Sequence, residues 1–167
     1  MSSTSSYPPT AEILPSILVR DLLVQKPQEL HCVEPGDTVY RAIELMAEAR
    51  VGALLVLDHG KLVGILSERD YARKVILVGR SSQTTKVEAI MSSPVITVTL
   101  ETSLQECMQL MISRKIRHLP VVETDALVGI VSIGDVVRET LAQQCQALDE
   151  LQRYVAGEPR STAQPLE

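Results

Sequence analysis

The feature that most constrains this chain of 167 residues is that it carries two copies of one segment. A shift of 65 positions aligns residues 31–70 with residues 96–135 without a gap. Eleven of the 40 aligned positions are identical, whereas typical residue usage gives roughly two or three by chance. The first-copy members of the identical pairs are Val33, Leu45, Met46, Leu54, Val56, Leu62, Val63, Gly64, Ile65, Ser67 and Asp70. The chain is therefore an internal duplication.

Each copy has the same order of predicted elements. An extended stretch (31–34 and 95–99) precedes a helix, whose apolar residues recur at helical spacing. Asp37 or Thr38 is expected to cap the first of these helices, and Thr102 with Gln105 is expected to form a capping box on the second. Two apolar runs joined by a turn then predict a hairpin, and a second helix follows Ser67 and Ser132.

These elements predict an α/β fold of two β-α-β-β-α repeats packed about a pseudo-twofold axis, because one such unit is too small to bury its sheet alone. The first repeat is assigned to residues 15–80 and the second to 81–140. Upstream of the aligned part, residues 19–23 resemble residues 87–91 at a slightly longer offset. Residues 1–14 and 158–167 are expected to be disordered.

Residues 141–157 are predicted to extend the last helix. Its apolar positions follow a heptad seam, interrupted by Gln144, of Val137, Leu141, Leu148, Leu151 and Val155. The seam is shorter than a convincing coiled coil. Packing on its own module and contact with a second copy in a homodimer both remain open.

Composition excludes several classes of partner. The formal net charge of −5 disfavours nucleic acid and anionic membranes, which require a basic surface. No apolar run approaches the length of roughly 18 residues that a membrane span needs. Cys32, Cys107 and Cys145 are widely separated, as expected for reduced thiols in the cytoplasm.

One motif is especially similar in the two copies. A glycine and two apolar strand residues are followed by a serine, and an aspartate follows three residues after the serine: Ser67-x-x-Asp70 and Ser132-x-x-Asp135. Such a pattern is a helix capping box. The same geometry suits a ribose phosphate, because helix N–H groups and a hydroxyl hold the phosphate while the carboxylate accepts from ribose hydroxyls. Both interpretations are compatible. The glycines Gly64 and Gly129 would let the backbone approach a ligand closely.

With residues 117–122 before the hairpin and Gly-hydrophobic-x-Ser-x-x-Asp after it, the duplicated unit resembles the cystathionine-β-synthase (CBS) domain. Two in tandem resemble a CBS pair, or Bateman module. The resemblance covers about residues 15–140, and the chain is similar to stand-alone bacterial and plant CBS-pair proteins.

The resemblance implies adenine-nucleotide sensing in clefts to which both copies contribute. In one cleft Asp70 would hold the ribose, with Arg117 and His118 facing the phosphate. In the other Asp135 would hold the ribose, with Arg69 supplying positive charge beside Gly52 and Ala53. The remaining expected ligand-binding residues are Ser67, Ser132, Pro120 and, along the adenine slots, Val51, Ile116, Ile96 and Thr97. Because each cleft keeps part of the family's positive charge, a monophosphate such as AMP is expected rather than a triphosphate.

The sequence therefore predicts a regulatory, AMP-like-nucleotide-binding module acting on an unidentified partner protein. The alternative is a structural or dimerisation module in which the Ser-x-x-Asp motifs only cap helices. No catalytic residues are assigned, since no acidic orienter or nucleophile-elbow spacing accompanies His118 and the serines. No metal or catalytic cofactor is expected, because the three histidines lack ligand spacing.

Overall fold

A computed structural model describes residues 17–25 and 29–156 of the chain. The segments expected to be disordered, 1–14 and 158–167, lie outside these residues. In chain order the elements are α1 (Val19–Gln25), β1 (Cys32–Val33), α2 (Val39–Ala49), β2 (Ala53–Asp58), β3 (Lys61–Ser67), α3 (Glu68–Tyr71), α4 (Leu104–Arg114), β4 (His118–Glu123), β5 (Ala126–Ser132) and α5 (Ile133–Val155). A π-helical turn (Ala72–Ile76) continues α3, and a 3-10 turn (Val87–Ala89) leads into the second repeat.

The two repeats build small sheets on one plan. In the first repeat β1 pairs in parallel with β2, which pairs antiparallel with β3. In the second repeat β4 pairs antiparallel with β5. The counterpart of β1 is reduced to a parallel bridge between Val98 and Val121, the residues that match Val33 and Val56. The predicted mixed α/β fold and the long last helix are confirmed.

The helix caps correct one detail of the sequence analysis. Thr38 caps α2 by accepting from the Arg41 N–H, as expected. The capping box of α4 is formed by Ser103 and Glu106, so the prediction of Thr102 with Gln105 was wrong by one position. The Thr102 hydroxyl accepts instead from the Thr99 N–H, in the preceding turn.

Each repeat completes the hydrophobic core of the other. The N–H of Val19, at the start of α1, donates to the Thr102 carbonyl at 2.9 Å. The N–H of Val87, at the start of the 3-10 turn, donates to the Asp37 carbonyl at the same distance. The second repeat's core contains Val19, Leu22, Val98, Leu104, Cys107, Met111, Leu119, Val121, Val131 and Val136. The first repeat's core contains Val33, Val39, Ala42, Met46, Leu54, Val56, Leu66, Val75, Val87 and Ile90.

This exchange explains Gly64, one of the two glycines that precede the Ser-x-x-Asp motifs. A Cβ at Gly64 would overlap the side chain of Met91, which follows the 3-10 turn. The close approach that Gly64 permits in this structure is to the segment that contains Met91, and its expected approach to a ligand stays a prediction. The glycine at position 64 therefore meets a packing requirement.

Only the beginning of helix α5 packs against the rest of the described chain. Among its residues only Asp135 and Val136 are buried. The seam residues Leu141, Leu148, Leu151 and Val155 are all more than half exposed, so the described part of the chain does not cover them. No helix among the described residues is long and apolar enough to cross a bilayer.

Because α1 packs in the core of the second repeat, a mutation in α1 should destabilise the second repeat. Leu22 is 6 % exposed and packs in the core of the second repeat. Leu22→Ala should lower the free energy of unfolding by roughly 2–5 kcal/mol, and hydrogen exchange should lose protection mainly within residues 98–136. The control Val24→Ala, at a position 88 % exposed on the same helix, should change stability by less than about 0.5 kcal/mol. Loss of protection centred on residues 33–75 would contradict the exchange.

Candidate ligand-binding site

Both Ser-x-x-Asp motifs form capping boxes of the same geometry. In the first, the Ser67 hydroxyl donates to Asp70 Oδ2 at 2.6 Å, and the Asp70 N–H donates to Ser67 Oγ at 3.2 Å. In the second, the Ser132 hydroxyl and Asp135 make the same two bonds at the same distances. Each aspartate also accepts from the backbone N–H of its serine. The helix-capping interpretation of both motifs is therefore confirmed.

The second oxygen of each aspartate has a different neighbour. Asp70 Oδ1 lies 2.8 Å from Lys74 Nζ, which also donates to the Ile90 carbonyl. Asp135 Oδ1 lies 3.4 Å from Arg138 Nη1, on a side chain that is 76 % exposed. The two aspartates therefore differ in the cation beside their second oxygen, and Asp135 is the more buried of the two.

A cavity lies between the two repeats on the side of the second motif. Its volume is about 330 Å³, at the lower end of the roughly 300–1,000 Å³ found for small-molecule sites. The residues that line it are Glu29, His31, Arg50, Val51, Gly52, Ala53, Leu55, His118, Ile130 and Ser132. Seven come from the first repeat and three from the second, so both repeats contribute walls to this space.

The backbone fixes the walls of this cavity. His118 opens β4 and stands opposite Ser132 in the register with β5. Gly52 precedes β2, and its carbonyl accepts from the Glu68 N–H. A Cβ on Gly52 would come within 3.7 Å of the His118 ring. Gly52 and the His118 ring therefore face each other across this part of the cavity with room for no more than a methyl group in ordinary contact.

The charged groups at the cavity are mixed in sign. Arg50 ends α2 in the left-handed conformation, with φ of 55°, and this turn leads the chain directly into Val51. His31 Nε2 lies 3.8 Å from Glu29 Oε2. The Arg50 guanidinium and the start of α5 favour an anion, whereas the Glu29 carboxylate beside His31 opposes one. Among the described residues, no group of three or more His, Cys, Asp or Glu side chains is placed to hold a metal ion.

Five of the residues nominated from the sequence line the cavity: Val51, Gly52, Ala53, His118 and Ser132. Asp135 stands behind Ser132, bonded to it. Arg69 does not line the cavity, and its Nη1 donates to the Lys115 carbonyl in the other repeat at 3.0 Å. The cation on the cavity wall is Arg50 instead.

The other nominated residues lie in the corresponding part of the second repeat or in the first capping box. Arg117 is exposed, and its carbonyl accepts from the Ile133 N–H. Ile96 and Ile116 are partly buried against the second core, and Thr97 between Ile96 and Val98 is exposed. The remaining three are Ser67 and Asp70, in the first box, and the buried Pro120 in β4.

Sequence reasoning missed Glu29, His31, Arg50, Leu55 and Ile130. The repeat itself contains the signal for two of them. His31 and Leu55 are the counterparts, 65 positions earlier, of the nominated Ile96 and Pro120. Applying the offset in both directions would have found them. Arg50 carried no such signal, since its place depends on the turn that ends α2.

Comparison with known proteins supports one family for both repeats. The family model described as the CBS domain matches residues 19–77 and 87–142. These two matches cover most of the described chain, including every residue that lines the cavity.

Named relatives agree with this match. The chain is 47 % identical over 126 residues to the CBS domain-containing protein CBSX3, mitochondrial, of Arabidopsis thaliana. The match covers 72 % of this chain and 61 % of that protein. A putative signal-transduction protein with CBS domains from Burkholderia ambifaria has a solved structure with a TM-score of 0.75 and 46 % identity, covering 77 % of this chain and 96 % of that one.

A third neighbour was solved with ligands. The CBS domain pair of protein MJ0100, in complex with 5′-methylthioadenosine and S-adenosyl-L-methionine, matches with a TM-score of 0.67 and 27 % identity. The match covers 77 % of this chain and 98 % of that one. With the duplicated sequence, the paired sheets and the matches to both halves, the chain belongs to the family of CBS-domain proteins.

Proposed function

We propose that this chain is a regulatory module that binds an adenine nucleotide, AMP-like in size and charge, in the cavity between its two repeats. The observation that carries the proposal is the position of this cavity, which has the Ser132 capping box at one wall and residues 50–53 of the other repeat opposite. The adenosine compounds bound by the MJ0100 domain pair support the ligand class.

The cavity walls match the parts of a nucleoside monophosphate. Val51, Leu55 and Ile130 supply aliphatic surface for the base. Asp135, held in place by Ser132, is the carboxylate for the ribose hydroxyls. Arg50 and the N–H groups at the start of α5 attract the phosphate. A volume of about 330 Å³ suits one mononucleotide better than a triphosphate with its ions.

Regulation follows from the shared walls. A ligand that contacts both repeats stabilises the relative placement it fits best, and so shifts the population of conformations that a partner protein meets. Each serine hydroxyl is part of a helix capping box, and the proposed role is regulatory rather than catalytic. The three free cysteines suit a reducing compartment, for which we propose the cytoplasm.

We further propose that the exposed end of α5 joins two copies in a homodimer. Leu141, Leu148, Leu151 and Val155 are spaced as one face of the helix and are exposed in the single chain. An apolar face of this kind is stabilised by packing against a second helix. This surface also supports the alternative function, a dimerisation module whose Ser-x-x-Asp motifs only cap helices.

Titration calorimetry with AMP, ADP, ATP, NAD and S-adenosylmethionine tests nucleotide binding. Asp135→Asn should weaken the best ligand by about tenfold or more, because it removes a charged acceptor for the ribose. The matched control is Glu106→Gln, which makes the same carboxylate-to-amide change in the capping box of α4, remote from the cavity. It should leave affinity unchanged.

Two results would favour the cap-only alternative. One is that none of the five compounds binds at millimolar concentration. The other is that Asp135→Asn changes thermal stability to the same extent as Glu106→Gln and leaves the affinity of a bound nucleotide as it was.

The dimer is tested with Leu148→Glu and Leu151→Glu together. Both positions are about 60 % exposed, so the monomer should fold, while two buried charges at a helix interface should prevent association. Light scattering should give twice the chain mass of 18.3 kDa for the wild type and for the control Gln146→Glu, and the monomer mass for the double variant. An unchanged mass in the double variant would contradict the interface.

A further inference from the structure

The duplication predicts a second cleft, related to the cavity by the 65-residue offset. Counterparts of the cavity residues that would line it include Ile96, Lys115, Ile116, Arg117, Pro120 and Ser67, while His118 lines the cavity itself. We call this surface the counterpart cleft. The two clefts differ at positions where the repeats have different residues. These differences change the size of the side chains as well as their polarity.

Two positions that line the cavity carry different residues in the counterpart cleft. Arg117, whose side chain is exposed, stands where the cavity has Gly52. Pro120 stands where the cavity has Leu55 and is buried within β4.

A third difference connects the repeats. The partly buried Arg69 follows the Ser67 cap, and its Nη1 donates to the carbonyl of Lys115 in the other repeat at 3.0 Å. Lys115 immediately precedes Ile116 of the counterpart cleft and is the counterpart of the cavity residue Arg50. The guanidinium therefore joins the start of α3 to the edge of the counterpart cleft.

The equivalent connection is missing beside the cavity. The counterpart of Arg69 is Gly134, which is exposed. A Cβ built on Gly134 would meet Ser132 Oγ as its nearest neighbour, at 3.7 Å, so this position is open. One cleft thus has an arginine across it, and the other has a glycine at the same place.

We propose that Arg69 closes the counterpart cleft, so that one chain binds one nucleotide, in the cavity beside Ser132. This inference rests on the proposed function. It gives Arg69 a role in site selection, in contrast to the expectation that Arg69 supplies charge to the phosphate. Gly134 is then the residue that leaves the cavity accessible.

Calorimetric stoichiometry tests the proposal, with AMP and NAD titrated separately. The wild type should bind one molecule per chain, and Arg69→Ala should bind two. Gly134→Arg should weaken binding by about tenfold or more, because it places an arginine across the cavity as Arg69 lies across the other cleft. Arg73→Ala, which removes an exposed arginine from the following turn, and Gln146→Arg, which adds one on an exposed turn of α5, should each behave as the wild type.

Thermal unfolding followed by circular dichroism checks that every variant is folded. Two molecules per wild-type chain would overturn this inference and leave nucleotide binding itself intact. One molecule per chain for Arg69→Ala, or weaker binding at the single site of that variant, would also overturn it. Absence of binding to the wild type by both ligands would overturn the proposed function and this inference together.

Discussion

Two backbone hydrogen bonds of 2.9 Å, from Val19 to the Thr102 carbonyl and from Val87 to the Asp37 carbonyl, mark where each half of the chain completes the core of the other. Separating the halves would expose Val19 and Val87, both fully buried, so neither repeat is a self-sufficient unit. The space between the repeats is therefore bounded by walls that the fold itself holds together. A preorganised cavity of this kind loses less free energy on ordering when a ligand binds.

The Ser132 capping box links that scaffold to chemistry. The bonds that start α5 also fix the carboxylate of Asp135, which is 4 % exposed. A carboxylate already oriented by its helix gives up little conformational entropy on accepting from a ligand hydroxyl. Capping and sugar recognition are therefore compatible roles for one side chain, and the same motif serves the fold in both repeats while the surrounding side chains differ.

The repeat allowed most of the fold to be predicted, because apolar periodicity and turn residues are local signals present in two copies. The Ser-x-x-Asp caps, which include Ser132, followed from the same reasoning, whereas the other four cavity residues were nominated from the resemblance to the CBS family. The packing of α1 and of the 3-10 turn against the opposite repeat was not predicted. It joins Val19 to a hydrogen-bond partner more than 80 residues away, and no local sequence pattern indicates such a contact. Arg50 was missed because a left-handed turn places it, and the position of Arg69 depends on a contact across the repeats.

A crystal structure of the chain grown with millimolar AMP tests the central claim, that a nucleotide binds between the repeats and is gripped by a helix-capping carboxylate. The account predicts one AMP in the cavity, with ribose hydroxyls about 3 Å from Asp135 and the phosphate at the start of α5. Ordered AMP on the outer surface of a single repeat, or a cavity that contains solvent while AMP is bound elsewhere, would contradict it.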